Sequence, residues 1–217
     1  AWRRVLAVVV KPGVEFGQDS VAEFDPGPAA GLSRAILGED GLVFEAHSTD
    51  YQRPGSLRSL VEAHFAVLKV GPGLTFAWRE ALFALESIEA ELLPAAERSG
   101  LRRVLDEAMR RDPGHWRKHH HGTAAEQAFA RAWSLSDRSR YYWPVPEVAA
   151  AADRLLANLS GRPIPATLFS QFLPVQHAAW RDGRLVAEPL ALARHKVREV
   201  ARIYAFACGM AAGPQPP

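Results

Sequence analysis

Three apolar, β-branched runs mark the first third of the chain: RRVLAVVV (3–10), GLVFEAH (41–47) and FAVLKVG (65–71). None alternates polar and apolar residues cleanly, which is the pattern of parallel strands covered on both faces. Between them PAAGLSRAIL (28–37) and SLRSLVEAHF (56–65) read as helices, the first ending at Gly38 and the second following a Pro-Gly turn. Strand, loop, helix and strand repeat with a period of about 30 residues, that of a βαβ unit. The pattern predicts an α/β fold with a parallel sheet.

Beyond residue 74 the helical period takes over. Thr75 is placed to cap FAWREALFALESIEAELL, and SGLRRVLDEAMRRDP carries Leu101, Val104, Leu105 and Met109 on one stripe. Thr123 and Glu126 form a capping-box pattern ahead of QAFARAWSL. RYYWP (140–144) is aromatic enough to be a fourth strand, and helices are expected near 146–159, 164–181 and 188–208. The expectation is a single α/β domain over 1–209 and a disordered tail over 210–217. Four strands fall short of the eight that close a (β/α)8 barrel of about 250 residues, so the pattern looks like half of one.

Composition narrows the partners. A net charge of +2 gives no case for nucleic acid, and no apolar run reaches the ~20 residues of a membrane span. Only Lys11, Lys69, Lys118 and Lys196 of the 26 basic residues are lysine. A lone Cys208 excludes an internal disulfide and fits a reducing, cytoplasmic setting.

Functional groups of parallel α/β folds gather at the carboxyl ends of strands, and that rule brings four stretches together. They are KPGVEFGQD with Lys11, Glu15 and Asp19; EAHSTDYQ with Glu45, His47, Ser48 and Asp50; KVGPGLTF with Lys69; and SDRSRYYW with Asp137, Arg138, Arg140, Tyr141 and Tyr142. Glu15 reads equally as a solvated loop carboxylate. His47 alone would be a core histidine, but Glu45 two residues back and Asp50 beside it favour a polar site. A lysine within FAVLKVG is costly to bury unpaired, so Lys69 is expected to reach a carboxylate or a substrate. Arg138 and Arg140 suit a phosphate, or else an ion pair with Asp137. The Gly-Pro-Gly turn offers backbone N–H groups to an anion. His119, His120 and His121 are consecutive and flanked by cations, which favours a surface or lid loop over a metal site.

VEAHFAVLKVGPGLTFAWREALFAL, FEAHSTDYQ, VVVKPGVEFG and SLSDRSRYYWP, with SQFLPVQ and YAFACG, resemble the GatZ/KbaZ family. Its members are the non-catalytic subunits of class II D-tagatose-1,6-bisphosphate aldolase. The resemblance runs from about residue 5 to 209 and covers the C-terminal half of the family's TIM-barrel-like fold, with additional C-terminal helices; Ala1 in place of Met agrees with this. The family's N-terminal Gly-Gly-Asp-His-Leu-Gly-Pro and Thr-Glu-Val-Pro motifs do not occur here.

The resemblance implies an accessory subunit that activates and stabilises a catalytic class II aldolase subunit in galactitol- or N-acetylgalactosamine-type sugar catabolism. The alternative is a metal-dependent 4-epimerase of D-tagatose 6-phosphate, working by retro-aldol cleavage and re-addition. In these roles Glu45, His47, Asp50 and Lys69 are the catalytic candidates, and Glu15, Ser48, Arg138, Arg140 and Tyr141 the substrate- or phosphate-binding ones. His47 and Glu45 would hold a divalent metal of the zinc or manganese class. A nucleotide is not expected, since a Walker-type loop is absent. Half of a barrel leaves edges and apolar faces open, so the chain is expected to be inactive alone and to be poorly soluble or to form homo-oligomers.

Overall fold

The computed structural model describes residues 4–213. Residues 214–217 of the predicted tail, and Arg3 at the start of the first predicted strand, lie outside them. The chain divides into two compact units: residues up to Leu74 together with those from Glu199 onward, and Thr75–Arg198.

The first unit holds β1 (Ala7–Val10), β2 (Glu15–Phe16), β3 (Val21–Ala22), α1 (Pro26–Ile36), β4 (Val43–Ala46), α2 (Pro54–Glu62) and β5 (Val67–Leu68). Strands β1, β4 and β5 form a parallel sheet in that order, while β2 and β3 make a small antiparallel ribbon. Both helices start where proline permits. Pro26 and Pro54 occupy first-turn positions, where a missing N–H costs nothing. Asp25 adds a cap by accepting from Gly27 N at 2.9 Å.

Only one face of this sheet is covered. Phe44 and Ala46 of β4 pack with Ala29, Ile36, Leu57, Leu60 and Phe65 in one apolar core. The alternate residues form a row across the other face, because Val9 pairs with Glu45 and Glu45 with Val67. Val9 is 53% exposed and Val67 is 40% exposed, so the expected two-sided burial is not what the first unit adopts. The apolar runs were long enough to hide this alternation, with valine standing at exposed positions.

The second unit is helical. It takes in α3 (Pro72–Leu92) from Thr75 onward, α4 (Leu101–Arg111), α5 (Ala124–Trp133), α6 (Pro146–Leu159), α7 (Ala166–Phe172), α8 (Pro174–Arg181) and α9 (Pro189–Ala207) as far as Arg198. Leu82, Leu85, Ile88, Leu101, Leu105, Met109, Leu155, Leu159, Phe169 and Leu192 share its core. The capping box of Thr123 and Glu126 forms as its sequence predicts.

Three expectations need correction. RYYWP is not a strand: Arg138–Tyr141 make a 3-10 turn, with Tyr142 N donating to Ser139 O at 2.9 Å. The helix expected at 164–181 is two, because Pro174 supplies no N–H and starts a new one. α3 begins at Pro72, three residues before Thr75, whose hydroxyl instead donates to Asp137 Oδ2 at 2.5 Å.

Candidate functional site

At the carboxyl end of β4, the open row of the sheet continues from Glu45 to His47. Strand alternation puts the two side chains on one side, and His47 Nε2 lies 2.8 Å from Glu45 Oε1. Both remain about a quarter exposed, at 26% and 28%. By the same alternation Lys11 and Lys69, one step beyond Val9 and Val67, fall on this face. Lys11 Nζ meets Glu15 Oε2 at 2.6 Å. Glu15 is held below the usual carboxylate range, first by that lysine and then, against a small desolvation penalty, by Phe16 N–H and the Ser48 hydroxyl. Glu45 and His47 thus form one polar pair, and Lys11, Glu15 and Ser48 a second polar set.

Lys69 is not buried, although its apolar run suggested it would be. Its side chain is exposed, so no desolvation has to be offset. Its backbone does the structural work: Lys69 N donates to Ala46 O at 3.0 Å, and Lys69 O accepts from Thr49 Oγ1 at 2.7 Å.

Asp50 is committed to the backbone that follows β5. It is 2% exposed, and its Oδ1 accepts from Gly71 N and Gly73 N, both at 2.8 Å. A Cβ at Gly73 would lie 2.9 Å from that oxygen, which explains the glycine. The Gly-Pro-Gly turn thus presents its N–H groups to a carboxylate of the protein itself, not to a ligand phosphate. Asp50 caps α3 and fixes the loop.

The loop between β4 and α2 is clamped from several sides. Gln52 is buried, accepting from Phe24 N and donating to Ala22 O, each at 2.8 Å. Tyr204 of α9 donates to Thr49 O at 3.0 Å, with its hydroxyl 3.1 Å from Thr49 Oγ1. These clamps hold Ser48 at φ +58° and Tyr51 at φ +65°, conformations that cost a non-glycine residue about 1 kcal/mol or more. Sequence reasoning missed Gln52 and Tyr204. Gln52 stands inside EAHSTDYQ itself, but Tyr204 lies 155 residues from its partner, and nothing local marks it.

Burial pushes the Tyr204 phenol up to about 12, with the Thr49 hydrogen bond opposing. The unfolded phenol titrates near ~10. The stabilisation is therefore complete below that value and is lost as pH rises towards the folded one. Tyr204→Phe is expected to cost about 1–2 kcal/mol near neutrality. It should also flatten the loss of stability above pH ~10 in denaturation curves taken across that range.

Arg138, Arg140 and Tyr141 belong to the second unit. Asp137 does not pair with either arginine. Its buried carboxylate accepts from Arg79 Nη1 at 3.0 Å, Ser139 Oγ at 2.7 Å and Thr75 Oγ1 at 2.5 Å. Arg140 Nη1 donates to the carbonyls of Ser136 and Asp137, and its Nη2 donates to Tyr141 Oη at 3.0 Å. Both guanidinium groups lie over the Tyr141 ring, at 5.9 Å for Arg138 and 4.6 Å for Arg140, and His115 stacks on that ring at 4.8 Å.

The three histidines differ in burial, and only two of them fit the expected surface loop. His119 and His121 are exposed, whereas His120 is 2% exposed and stacks on Trp116 at 6.1 Å. Among the described residues no three His, Cys, Asp or Glu side chains converge in a metal-binding group. Glu45 and His47 supply two donors, fewer than the three protein ligands of a catalytic zinc, so these residues do not by themselves fit the divalent metal. A cleft of about 720 Å³ lined by Thr167, Ser170, His177, Trp180 and Arg181, and one of about 450 Å³ lined by Leu42, Val61, His64 and Cys208, contain none of the candidate residues. Among the described residues no helix is long and apolar enough to cross a membrane.

Comparison with known proteins adds two findings. The model of a family described as D-tagatose-1,6-bisphosphate aldolase subunit GatZ/KbaZ-like matches residues 1–209. The crystal structure of a probable tagatose 6 phosphate kinase from Sinorhizobium meliloti 1021 is 51% identical, with a TM-score of 0.90 over 96% of this chain. The match takes in 54% of that protein, so the chain spans about half its length.

Proposed function

Because the chain belongs to the GatZ/KbaZ-like family of D-tagatose-1,6-bisphosphate aldolase subunits, we propose that it serves as an accessory subunit to a class II aldolase catalytic subunit. It would work in cytoplasmic sugar catabolism, and its open sheet face would carry polar groups towards a sugar phosphate. The observation that carries this reading is the Glu45–His47 pair, poised at a strand end on the uncovered face of the sheet. The order β1-β4-β5, with α1 and α2 as the crossovers, also supports placing the first unit within a barrel-like fold.

The chain's own residues can orient and move a proton. When His47 Nε2 carries hydrogen, it donates to Glu45, and Nδ1 is left to accept a proton from a sugar hydroxyl. The carboxylate steadies the imidazolium that results. The exposed Lys69 ammonium on the same face would attract the substrate's anionic oxygens, and Ser48 with Glu15 would hydrogen-bond its hydroxyls. The second unit carries, by itself, two cations suited to a phosphate, Arg138 and Arg140, both lying over the Tyr141 ring. A divalent metal would supply Lewis-acid stabilisation of an enediolate, but two donors do not complete its site, and the 4-epimerase alternative is carried no further. The kinase role in the Sinorhizobium protein's name is not adopted, since the Gly71 and Gly73 amides are committed to Asp50 and cradle no phosphate.

Complex formation tests the assignment. Mixing the chain with the class II aldolase catalytic subunit of the same source should give one species of summed mass in size-exclusion chromatography with light scattering. Separate elution at micromolar concentrations would contradict it.

A further inference from the structure

The cationic corner of the second unit lacks a counter-charge. Neither Arg138 nor Arg140 forms an ion pair among the described residues, and Asp137 is consumed by Arg79. Arg138 Nε is buried and makes no hydrogen bond. Both ring nitrogens of His120, a side chain only 2% exposed, likewise make no hydrogen bond of good geometry, and the backbone of His119 is the one polar group that acts on the ring as an acceptor. Burying polar nitrogens without partners is costly, so such groups mark a place where a ligand atom belongs. The charged and titratable groups acting on His120 are Arg138, His119 and Arg131. Asp106 neutralises Arg131 at 2.7 Å, which leaves Arg138 as the uncompensated neighbour. His119 in turn feels Arg138, Arg140, His121 and Lys118, all cationic or neutral.

We propose that His120 and Arg138 are the inner donors of an oxyanion site, bordered by Arg140 and Tyr141, whose ligand is a phosphomonoester dianion. The inference rests on the phosphate-binding reading of Arg138 and Arg140 above and adds His120 as its titrating member. In the free protein, desolvation first, and Arg138, His119 and Arg131 after it, outweigh an opposing hydrogen bond with the His119 backbone and hold the imidazole down to about 4, so it is neutral near pH 7. A bound dianion reverses that balance, and the imidazolium then donates to it. Binding therefore takes up one proton.

Sulfate is the direct probe, because it stays dianionic between pH 8 and 5. Calorimetric titration of the full chain should show sulfate affinity rising by up to about tenfold per pH unit as pH falls through this range. Ring-nitrogen NMR should show His120 turning to imidazolium on saturation. His120→Asn and His120→Phe, the latter keeping the stack on Trp116, should each abolish the slope, while His119→Asn keeps it. Arg138→Ala should weaken binding at least tenfold at every pH, and inorganic phosphate should displace sulfate. Binding that needs Arg138 but shows no pH slope, or a slope that survives in a folded His120 variant, overturns the role of His120 and leaves the arginine reading standing. No binding even at pH 5 overturns both.

Discussion

Asp137→Ala is expected to destabilise the second unit by about 3–5 kcal/mol, the range for removing one partner of a buried ion pair. Arg79 and Asp137 are both fully buried, and Asp137 also gathers Thr75 and Ser139. Alanine leaves the Arg79 guanidinium charged in a dry site and strands two hydroxyl donors. It also meets a backbone at φ +41°, which asparagine and aspartate tolerate better. Asp137→Asn, keeping shape and one acceptor oxygen, should lose less. Arg79→Met combined with Asp137→Ala should recover part of the loss, because no unpaired charge then remains. Five of the six tryptophans, at 78, 116, 133, 143 and 180, lie in the second unit, so urea unfolding followed by tryptophan fluorescence reads the effect. A loss within 1 kcal/mol of zero would show that the pair is not buried as described.

The second large effect belongs to Asp50. Hydrogen bonds to a charged acceptor contribute about 1.5–3 kcal/mol each, and Asp50 accepts two buried ones. Asp50→Ala should cost about 3 kcal/mol and free the Gly71 and Gly73 amides to exchange. Asp50→Asn, which keeps an acceptor oxygen, should cost about half as much. The loop carrying Ser48 and Tyr51 at positive φ should loosen as well, because one of the clamps opposing that strain is gone. Amide hydrogen exchange at residues 48–52, 71 and 73 measures both. Unchanged protection in Asp50→Ala would assign the clamping to Thr49, Gln52 and Tyr204 alone.

Local features were legible in the sequence wherever one segment decides the outcome. The three parallel strands, the capping box at Thr123 and the helix ending at Arg111 follow from periodicity and caps. The side-by-side placement of Glu45 and His47 follows from strand alternation. Features that depend on distant partners were not legible. Asp50 and Asp137 read as site carboxylates, yet each is claimed by partners far along the chain: Gly71 and Gly73 for one, Thr75 and Arg79 for the other. RYYWP carries strand-forming residues, but the turn closed by Asp137 and Ser139 overrides that propensity. Lys69 looked buried because its run is apolar, although Val67 beside it is also exposed. His120 looked like one of three surface histidines, and only its stacking on Trp116 separates it from its neighbours.

The measurement that tests the central claim most directly is cleavage of D-tagatose 1,6-bisphosphate by the class II aldolase catalytic subunit, with and without this chain. Both proteins should be at micromolar concentration with divalent metal present. The accessory-subunit reading predicts that the chain alone shows no cleavage, that adding it raises the rate or lifetime of the catalytic subunit, and that His47→Ala in a folded chain diminishes the gain. A catalytic subunit equally active and equally stable with and without the chain would contradict it.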